Sequence, residues 1–305
     1  MTTTQVEPLP ARTGPDGPAV QVRGLVKRYG GRAVLDGLDL DVRRGECFAL
    51  LGPNGAGKTT TIEVLEGVRR RDGGDVAVLG QDPATAGRAW RARIGVVSQG
   101  EGAAQALTVR EALDHFAAYS TRPRTTDELL AAVGLTEQAG TRVGRLSGGQ
   151  RRRLAVALGV QGRPELVFLD EPTTGMDPVA RRQFWELVRG LRADGTTVLL
   201  TTHYLDEAAE LADRVGVVAG GRLVDVAPPD ELGAGLRRTA TVSWTDGGRR
   251  RSVRTEAPAS VLRDLLATTP HEVPGLTVTR PGLEDVYLQL VGAVPTSPAT
   301  PEELR

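Results

Sequence analysis

The sequence predicts an α/β fold built around a parallel sheet, and three observations carry this prediction. A short apolar run, 47–51, ends in a glycine-rich turn and is followed by a helical pattern from Lys58 to about Val68. Two further runs, 166–169 and 197–200, are apolar on both faces, as buried parallel strands are. A helical pattern covers 178–192 between them, so strand, helix and strand alternate as parallel sheets require.

The amino-acid composition disfavours or excludes several classes of protein. The 305 residues are 40% hydrophobic and 25% charged, close to the averages for soluble globular proteins. The 38 basic and 38 acidic residues cancel, which disfavours a nucleic-acid binder that relies on bulk positive charge. The single cysteine, Cys47, excludes an intramolecular disulfide framework and a cysteine-built metal cluster. No apolar run reaches the roughly 18 residues of a membrane-spanning helix, and the N-terminus lacks the features of a secretory signal. We therefore expect a soluble intracellular protein.

The remaining patterns predict a helical segment and a second, smaller module. A further strand is expected at 93–97, and amphipathic helices with a cap signal at Thr125 are expected between Thr108 and Arg153. After Pro228-Pro229 the pattern changes to a hairpin around Asp246-Gly247-Gly248, followed by a helix, a strand near 276–279 and a last helix over 283–291. The apolar stripe of that last helix is expected to pack on the small module; its members are Leu283, Val286, Tyr287, Leu290 and Val291.

These patterns divide the chain into four expected parts. Residues 1–18 are predicted to be a flexible leader and 293–305 a flexible tail. The main α/β domain is expected at 19–236, with its helical subdomain at about 100–160. A small α+β module is expected at 237–292.

The strongest local motif is a complete phosphate-binding loop between a strand and a helix. Its residues are Gly52, Pro53, Asn54, Gly55, Ala56, Gly57, Lys58, Thr59 and Thr60. Glycines let successive backbone N–H groups point at phosphate oxygens, and the following helix adds the positive end of its dipole. Lys58 supplies a compact positive charge for the β- and γ-phosphates, and the Thr59 hydroxyl can bind Mg²⁺. The motif predicts a nucleoside triphosphatase.

A pair of carboxylates completes this chemistry. The apolar run 166–169 ends in Asp170 and Glu171, at the edge where open α/β sheets bind ligands. Asp170 is expected to hold the shell of the Mg²⁺ ion, and Glu171 to polarise the water that attacks the γ-phosphate.

A third motif, about 20 residues before these carboxylates, indicates the subclass of nucleoside triphosphatase. Residues 146–150 read Leu-Ser-Gly-Gly-Gln and precede a helix, so a hydroxyl and glycine N–H groups form a second anion site. Here the chain resembles the nucleotide-binding domain of ABC ATPases, over roughly residues 19–236. The resemblance implies that Ser147, Gly148, Gly149 and Gln150 contact the nucleotide held by a second subunit. Hydrolysis then requires a head-to-tail homodimer around two ATP·Mg²⁺.

The resemblance assigns roles to four more residues. Tyr29 matches the aromatic residue that stacks on adenine, and Asp177 matches the loop that contacts the partner subunit. Gln99 matches the glutamine that reaches the metal and the attacking water, and His203 matches the histidine that bonds the γ-phosphate. The implied catalytic residues are then Glu171, His203 and Gln99, and the implied Mg²⁺ ligands are Thr59, Gln99 and Asp170.

Within this superfamily the chain is most similar to the ATPases of daunorubicin/doxorubicin resistance. This resemblance rests on the segments 107–111, 201–208 and 282–288. The resemblance implies the motor subunit of a bacterial exporter, on the cytoplasmic face of the membrane, with a separately encoded ABC-2-type permease and no nucleic-acid partner. The small module is then expected to serve dimerisation or regulation. The alternatives are an ATPase for lipid, polysaccharide or peptide transport, or a soluble ABC protein of translation or DNA repair. The single ABC domain and the lack of zinc ligands disfavour the last.

Overall fold

A computed structural model describes residues 17–97, 105–120, 122–268 and 273–292. Its strands are β1 (Val20–Tyr29), β2 (Arg32–Val42), β3 (Cys47–Leu51), β4 (Gly73–Val78), β5 (Ile94–Val97), β6 (Leu166–Asp170), β7 (Thr197–Thr202), β8 (Arg214–Ala219), β9 (Arg222–Ala227), β10 (Ala240–Asp246), β11 (Arg249–Thr255) and β12 (Thr277–Thr279). Its α-helices are α1 (Lys58–Leu65), α2 (Arg88–Arg91), α3 (Val109–Ala117), α4 (Thr126–Ala132), α5 (Gly148–Val160), α6 (Pro178–Ala193), α7 (Leu205–Leu211), α8 (Ala234–Arg237), α9 (Pro258–Thr268) and α10 (Leu283–Gly292).

The central sheet has the order β5-β6-β7-β3-β8-β9. Its first five strands are parallel, and β9 returns antiparallel at one edge. Every residue of β3, β6 and β7 is buried, because helices and a second sheet cover the two faces. The predicted α/β fold with a parallel sheet is confirmed. The carboxyl ends of β6, β7 and β3 are neighbours, and the candidate site lies there.

The side chains of the central strands alternate between two hydrophobic clusters. Phe48 and Leu50 of β3 pack with β1, β2, β4 and α1 on one face. Cys47, Ala49 and Leu51 pack with α3 to α7 on the other face. β3 therefore lies between two packed layers, which fixes the position of the loop that follows it.

The second sheet is antiparallel, with the order β2-β1-β4. The sequence analysis did not predict this sheet as separate from the central one. β1 pairs with β2 through register shifts near Leu25, and with β4 about fifty residues further along the chain.

The helical segment consists of α3, α4 and α5, and two short 3₁₀ turns, Thr136–Gln138 and Val143–Arg145, lie between α4 and α5. Each helix begins at a side-chain cap: Thr108 caps α3, Thr125 caps α4 and Ser147 caps α5. A capped N-terminus satisfies donors that the first helical turn leaves open. The cap signal at Thr125 is therefore where the sequence placed it.

The C-terminal part contains the predicted hairpin. β10 and β11 pair from Ala240↔Thr255 to Asp246↔Arg249, so the turn lies at Gly247 and Gly248. β12 adds on the other side of β10, and α9 packs against β10.

The expectation that the last helix packs on this small module is wrong. The chief contact of α10 is with β8 of the central sheet. Val286 is fully buried in the cluster that contains Val215, Val217 and Leu232, and Leu283, Tyr287, Leu290 and Val291 pack against the same cluster. The stripe identified from the sequence is real, but it completes the main core.

No α-helix in the described ranges combines the length and hydropathy needed to cross a membrane.

Candidate functional site

The phosphate loop connects β3 to α1 by a tight turn. Gly52 contacts the neighbouring strand β8 closely, since a Cβ there would lie 2.5 Å from the carbonyl oxygen of Val218. Gly57 has φ 104° and lies against Val34 and Leu35, so a side chain is excluded both by conformation and by space. Pro53, Asn54, Gly55 and Ala56 form the turn between them. The sequence needs glycine at both ends because the backbone approaches other strands there.

Lys58 is buried at the N-terminus of α1, with 5% of its side chain exposed. Its Nζ donates to the carbonyl oxygens of Gly52 (2.8 Å) and Pro53 (3.3 Å). It also lies 3.7 Å from Oε1 of Glu171. Burial lowers the pKa of the Lys58 ammonium, while Glu171 and Asp170 act in the opposite direction. The ammonium is thus held at the mouth of the loop, facing two carboxylates.

Asp170 ends β6 beside two hydroxyl groups. Thr201 of β7 donates to Oδ1 at 2.5 Å, and Thr59 donates to Oδ2 at 3.2 Å. Asp170 and Thr201 are also cross-strand partners in the sheet. Carboxylate and hydroxyl oxygens are the ligands that Mg²⁺ prefers. The oxygens of Asp170 and Thr59 therefore fit the predicted metal site.

Glu171 has an uncommon backbone conformation, with φ 46°. Its N–H donates to the carbonyl and hydroxyl oxygens of Thr201, at 3.1 and 3.0 Å. A non-glycine residue in this region carries strain of about 1–3 kcal/mol that surrounding contacts must hold. Its carboxylate lies between Lys58 and Nδ1 of His203, the latter at 3.5 Å. The strained backbone thus aims the carboxylate at the phosphate loop.

His203 directly follows β7 and keeps 38% of its side chain exposed. Its ring lies against that of Tyr204, with 4.1 Å between centroids. It therefore reaches Glu171 from the open side of the site, where a ligand could touch it.

The segment 146–150 does not reach this cluster in its own chain. Ser147 and Gln150 form a reciprocal cap at the start of α5, and Gly149 lies near the carbonyl of Gly175. Asp177 caps α6 by accepting from the N–H groups of Val179 and Ala180, both at 2.9 Å, and these bonds lower its pKa. Among the described residues, no hydrogen bond or ion pair joins 146–150 to 52–60.

The other residues predicted for the site lie at its edge or outside the described residues. Tyr29 ends β1 with 40% exposure, and its ring is near Lys27 Nζ (5.5 Å) and Arg69 Cζ (5.3 Å). Thr60 lies in the first turn of α1. Gln99 falls outside the described residues, as do most of the predicted leader and the predicted tail.

Two residues that the sequence reading missed contribute to the site. Thr201 binds both Asp170 and Glu171, and its position two residues before His203 could have drawn attention to it. Arg152 donates to the backbone of the loop after β6. No sequence signal distinguishes it from the neighbouring arginines.

The chain is similar to known proteins both in sequence and in fold. The family model described as ABC transporter matches residues 35–174. The daunorubicin resistance ATP-binding protein DrrA3 of Streptomyces coeruleorubidus is 40% identical, over 90% of this chain and 96% of that protein. The Nod factor export ATP-binding protein I of Ralstonia nicotianae is 42% identical, over 90% and 94% respectively. A solved ATP-binding subunit of an ABC transporter superposes with a TM-score of 0.65 at 26% identity, covering 71% of this chain and 92% of that chain.

Proposed function

This chain belongs to the ATP-binding subunits of ABC transporters, which are ATPases, and from that premise we propose that it is the motor of an exporter. It would hydrolyse ATP as a head-to-tail homodimer and drive a separate membrane permease. The catalytic part of this proposal rests on the position of the Glu171 carboxylate beside the phosphate loop. Its Oε1 lies 3.7 Å from Lys58 Nζ and 3.5 Å from His203 Nδ1.

In this proposal each residue at the mouth of the loop has one task. The Lys58 ammonium binds the β- and γ-phosphates in place of the two carbonyls it now contacts. Glu171 takes the proton of the water that attacks the γ-phosphorus, while the bond to the bridging β–γ oxygen breaks. His203 donates to the γ-phosphate from the open side. Electrostatic stabilisation of this kind is strong because the groups are positioned in advance.

Mg²⁺, bound by Thr59 and Asp170, would neutralise charge on the β- and γ-phosphates. The proposal includes Gln99 as a third ligand on the strength of the resemblance. Thr201 keeps Asp170 in place by donating to Oδ1, the carboxylate oxygen that is slightly farther from the Thr59 hydroxyl (3.4 Å, against 3.2 Å for Oδ2). The Tyr29 ring, exposed at the end of β1, would stack on adenine.

The homodimer is supported by the separation of the two anion-binding segments. The N-terminus of α5, with Ser147 to Gln150, is the predicted second anion site, and in the part of the chain that the structure describes no hydrogen bond or ion pair links it to the phosphate loop of its own chain. A second copy in the opposite orientation would present this segment, with the neighbouring loop around Asp177, to the nucleotide. The small C-terminal module is proposed to tune this dimer.

Transport direction and partner rest on the relatives. Both the daunorubicin resistance protein and the Nod factor export protein match nearly the whole chain, at 40% and 42% identity. One relative is named for drug resistance and the other for export, so we propose drug efflux through an ABC-2-type permease at the cytoplasmic face of the membrane. Export of a Nod-factor-like cargo is the second candidate because that relative is equally similar. ATP-dependent daunorubicin uptake by inverted vesicles that contain this chain and its permease would separate the two.

The Lys58→Ala substitution tests the ATPase itself. We expect hydrolysis to fall about 100-fold or more, since the loop loses its positive charge. Lys58→Arg should not restore it, because a planar guanidinium cannot replace a point charge in this enclosed position. The only other lysine, Lys27, pairs with Asp72 at 2.9 Å, and Lys27→Ala should change kcat by less than about threefold. Equal activity in Lys58→Ala and wild type would refute the assignment of the phosphate loop.

A further inference from the structure

Three consecutive arginines lie in the first half of α5, and their side chains bind three different parts of the backbone. Arg151 Nη1 donates to the carbonyl of Leu146, in the segment that precedes the helix (2.8 Å). Arg153 Nη1 donates to the carbonyls of Val133 and Gly134, after α4 (3.1 and 2.9 Å). Arg152, between them, reaches the loop that follows β6. The three arginines are adjacent on one helix, but their hydrogen-bond partners differ.

The Arg152 guanidinium binds three successive backbone carbonyls. Nε donates to Pro172 at 3.1 Å, and Nη2 donates to Glu171 at 3.0 Å and to Asp170. A guanidinium presents several donors in a rigid plane, so one side chain can fix a whole stretch of backbone. The side chain is half-buried, which shields these bonds from water.

These bonds complete the support of a strained residue. The N–H of Glu171 is held by Thr201, and its carbonyl is held by Arg152. With φ at 46°, the backbone of Glu171 would relax if one of these supports were removed. Its carboxylate, between Lys58 and His203, would then change direction.

We propose that Arg152 is a positioning residue for ATP hydrolysis, which fixes the direction of the Glu171 carboxylate of its own chain by binding the carbonyls of residues 170–172. The proposal rests on the proposed function, in which Glu171 accepts the proton of the attacking water. Arg152 lies two residues after Gln150. The helix that presents its N-terminus to the nucleotide of the partner thereby also holds the catalytic carboxylate of its own site.

Steady-state kinetics of purified full-length variants give the first test. Arg152→Ala should lower kcat between tenfold and about 100-fold, because small displacements of a reacting group have effects of this size. KM and the affinity for a fluorescent ATP analogue should stay within about twofold. Arg152→Lys should restore little, since one ammonium cannot span three carbonyls. A wild-type kcat in Arg152→Ala, or a loss confined to KM, would overturn the proposal.

Arg153→Ala is the matched control, because it removes the same group and two carbonyl hydrogen bonds one residue away. It should leave kcat within about twofold, even where it lowers stability. Hydrogen exchange in the nucleotide-free protein gives a second readout. Exchange over 171–176 should be faster in Arg152→Ala than in wild type or in Arg153→Ala. Equal exchange in all three proteins would contradict the proposed support.

Mixed dimers test whether Arg152 acts within its own chain. Two differently tagged chains are co-expressed, one of them carrying Glu171→Gln, and the mixed species is purified over both tags. Arg152→Ala should cause at least a tenfold greater loss on the chain that keeps Glu171 than on the Glu171→Gln chain. Equal losses in both placements would overturn action within the chain. If no species that carries both tags can be purified in the presence of ATP, the head-to-tail dimer is wrong, and the homomeric variants still decide the role of Arg152.

Discussion

Replacing Val286 with alanine should destabilise the main domain, although Val286 follows the small C-terminal sheet in sequence. Its side chain is fully buried against residues of β8 and Leu232, and its neighbour Gly233 has no room for a Cβ beside it. The substitution removes two methyl groups, with a transfer free energy of about 0.8 kcal/mol each. The cavity that remains adds to this loss. We expect the free energy of unfolding to fall by about 2–3 kcal/mol.

Leu288→Ala is the control, because Leu288 lies on the same helix with 60% of its surface exposed. An exposed substitution of this kind changes stability by about 0.5 kcal/mol or less. In thermal unfolding followed by circular dichroism, Val286→Ala should unfold about 4–9 °C below wild type. Leu288→Ala should stay within about 2 °C. If the two variants unfold at the same temperature, α10 does not complete the main core, and the packing described above is wrong.

Two further predictions use the buried face of β3 and the mouth of the site. Glu171→Gln should keep ATP binding but lose at least about 100-fold in turnover, and ATP should convert it to a dimer in size-exclusion chromatography; a strictly monomeric variant with normal turnover would point to another base. Burial and the nearby Asp213 raise the pKa of the Cys47 thiol to about 12, so a thiol reagent at pH 8 should label the native protein only through unfolding. Val286→Ala should then speed labelling about 30–150-fold. Rapid labelling of the native wild type at pH 8 would mean that β3 is not buried.

The parts of the fold that the sequence predicted are those with a local cause. The phosphate loop could be found because glycine, lysine and threonine at fixed spacing are needed for one local geometry. β6 and β7 could be found because strands covered on both faces are continuously apolar. The hairpin at Gly247 and Gly248 followed from the residues that a tight turn requires. In each case the physical reason lies within about ten residues of chain.

The parts that could not be predicted depend on pairing between distant segments. β1 and β4 are neighbours in space but are separated by more than forty residues, and bulges near Leu25 interrupt the alternation of apolar residues. Likewise, the stripe on α10 shows which face of the helix is buried but does not show against what. Its partner, β8, lies before the small module in the chain, so proximity in sequence suggested the wrong neighbour.

The arginines at the start of α5 show why a catalytic support is harder to find than a catalytic group. In the sequence, Arg151, Arg152 and Arg153 are a run of like charges, which usually indicates a solvated face. In the structure each guanidinium binds at least one backbone carbonyl, and those bound by Arg152 belong to residues 170–172, at the end of β6 and in the loop after it. Every residue has the same backbone carbonyl group, whatever its side chain. The side chains of residues 170–172 therefore give no indication in the sequence that Arg152 binds there. A side chain that acts through the backbone of Glu171 can be recognised only once both segments are placed in space, and its effect should be seen in kcat while nucleotide affinity stays unchanged.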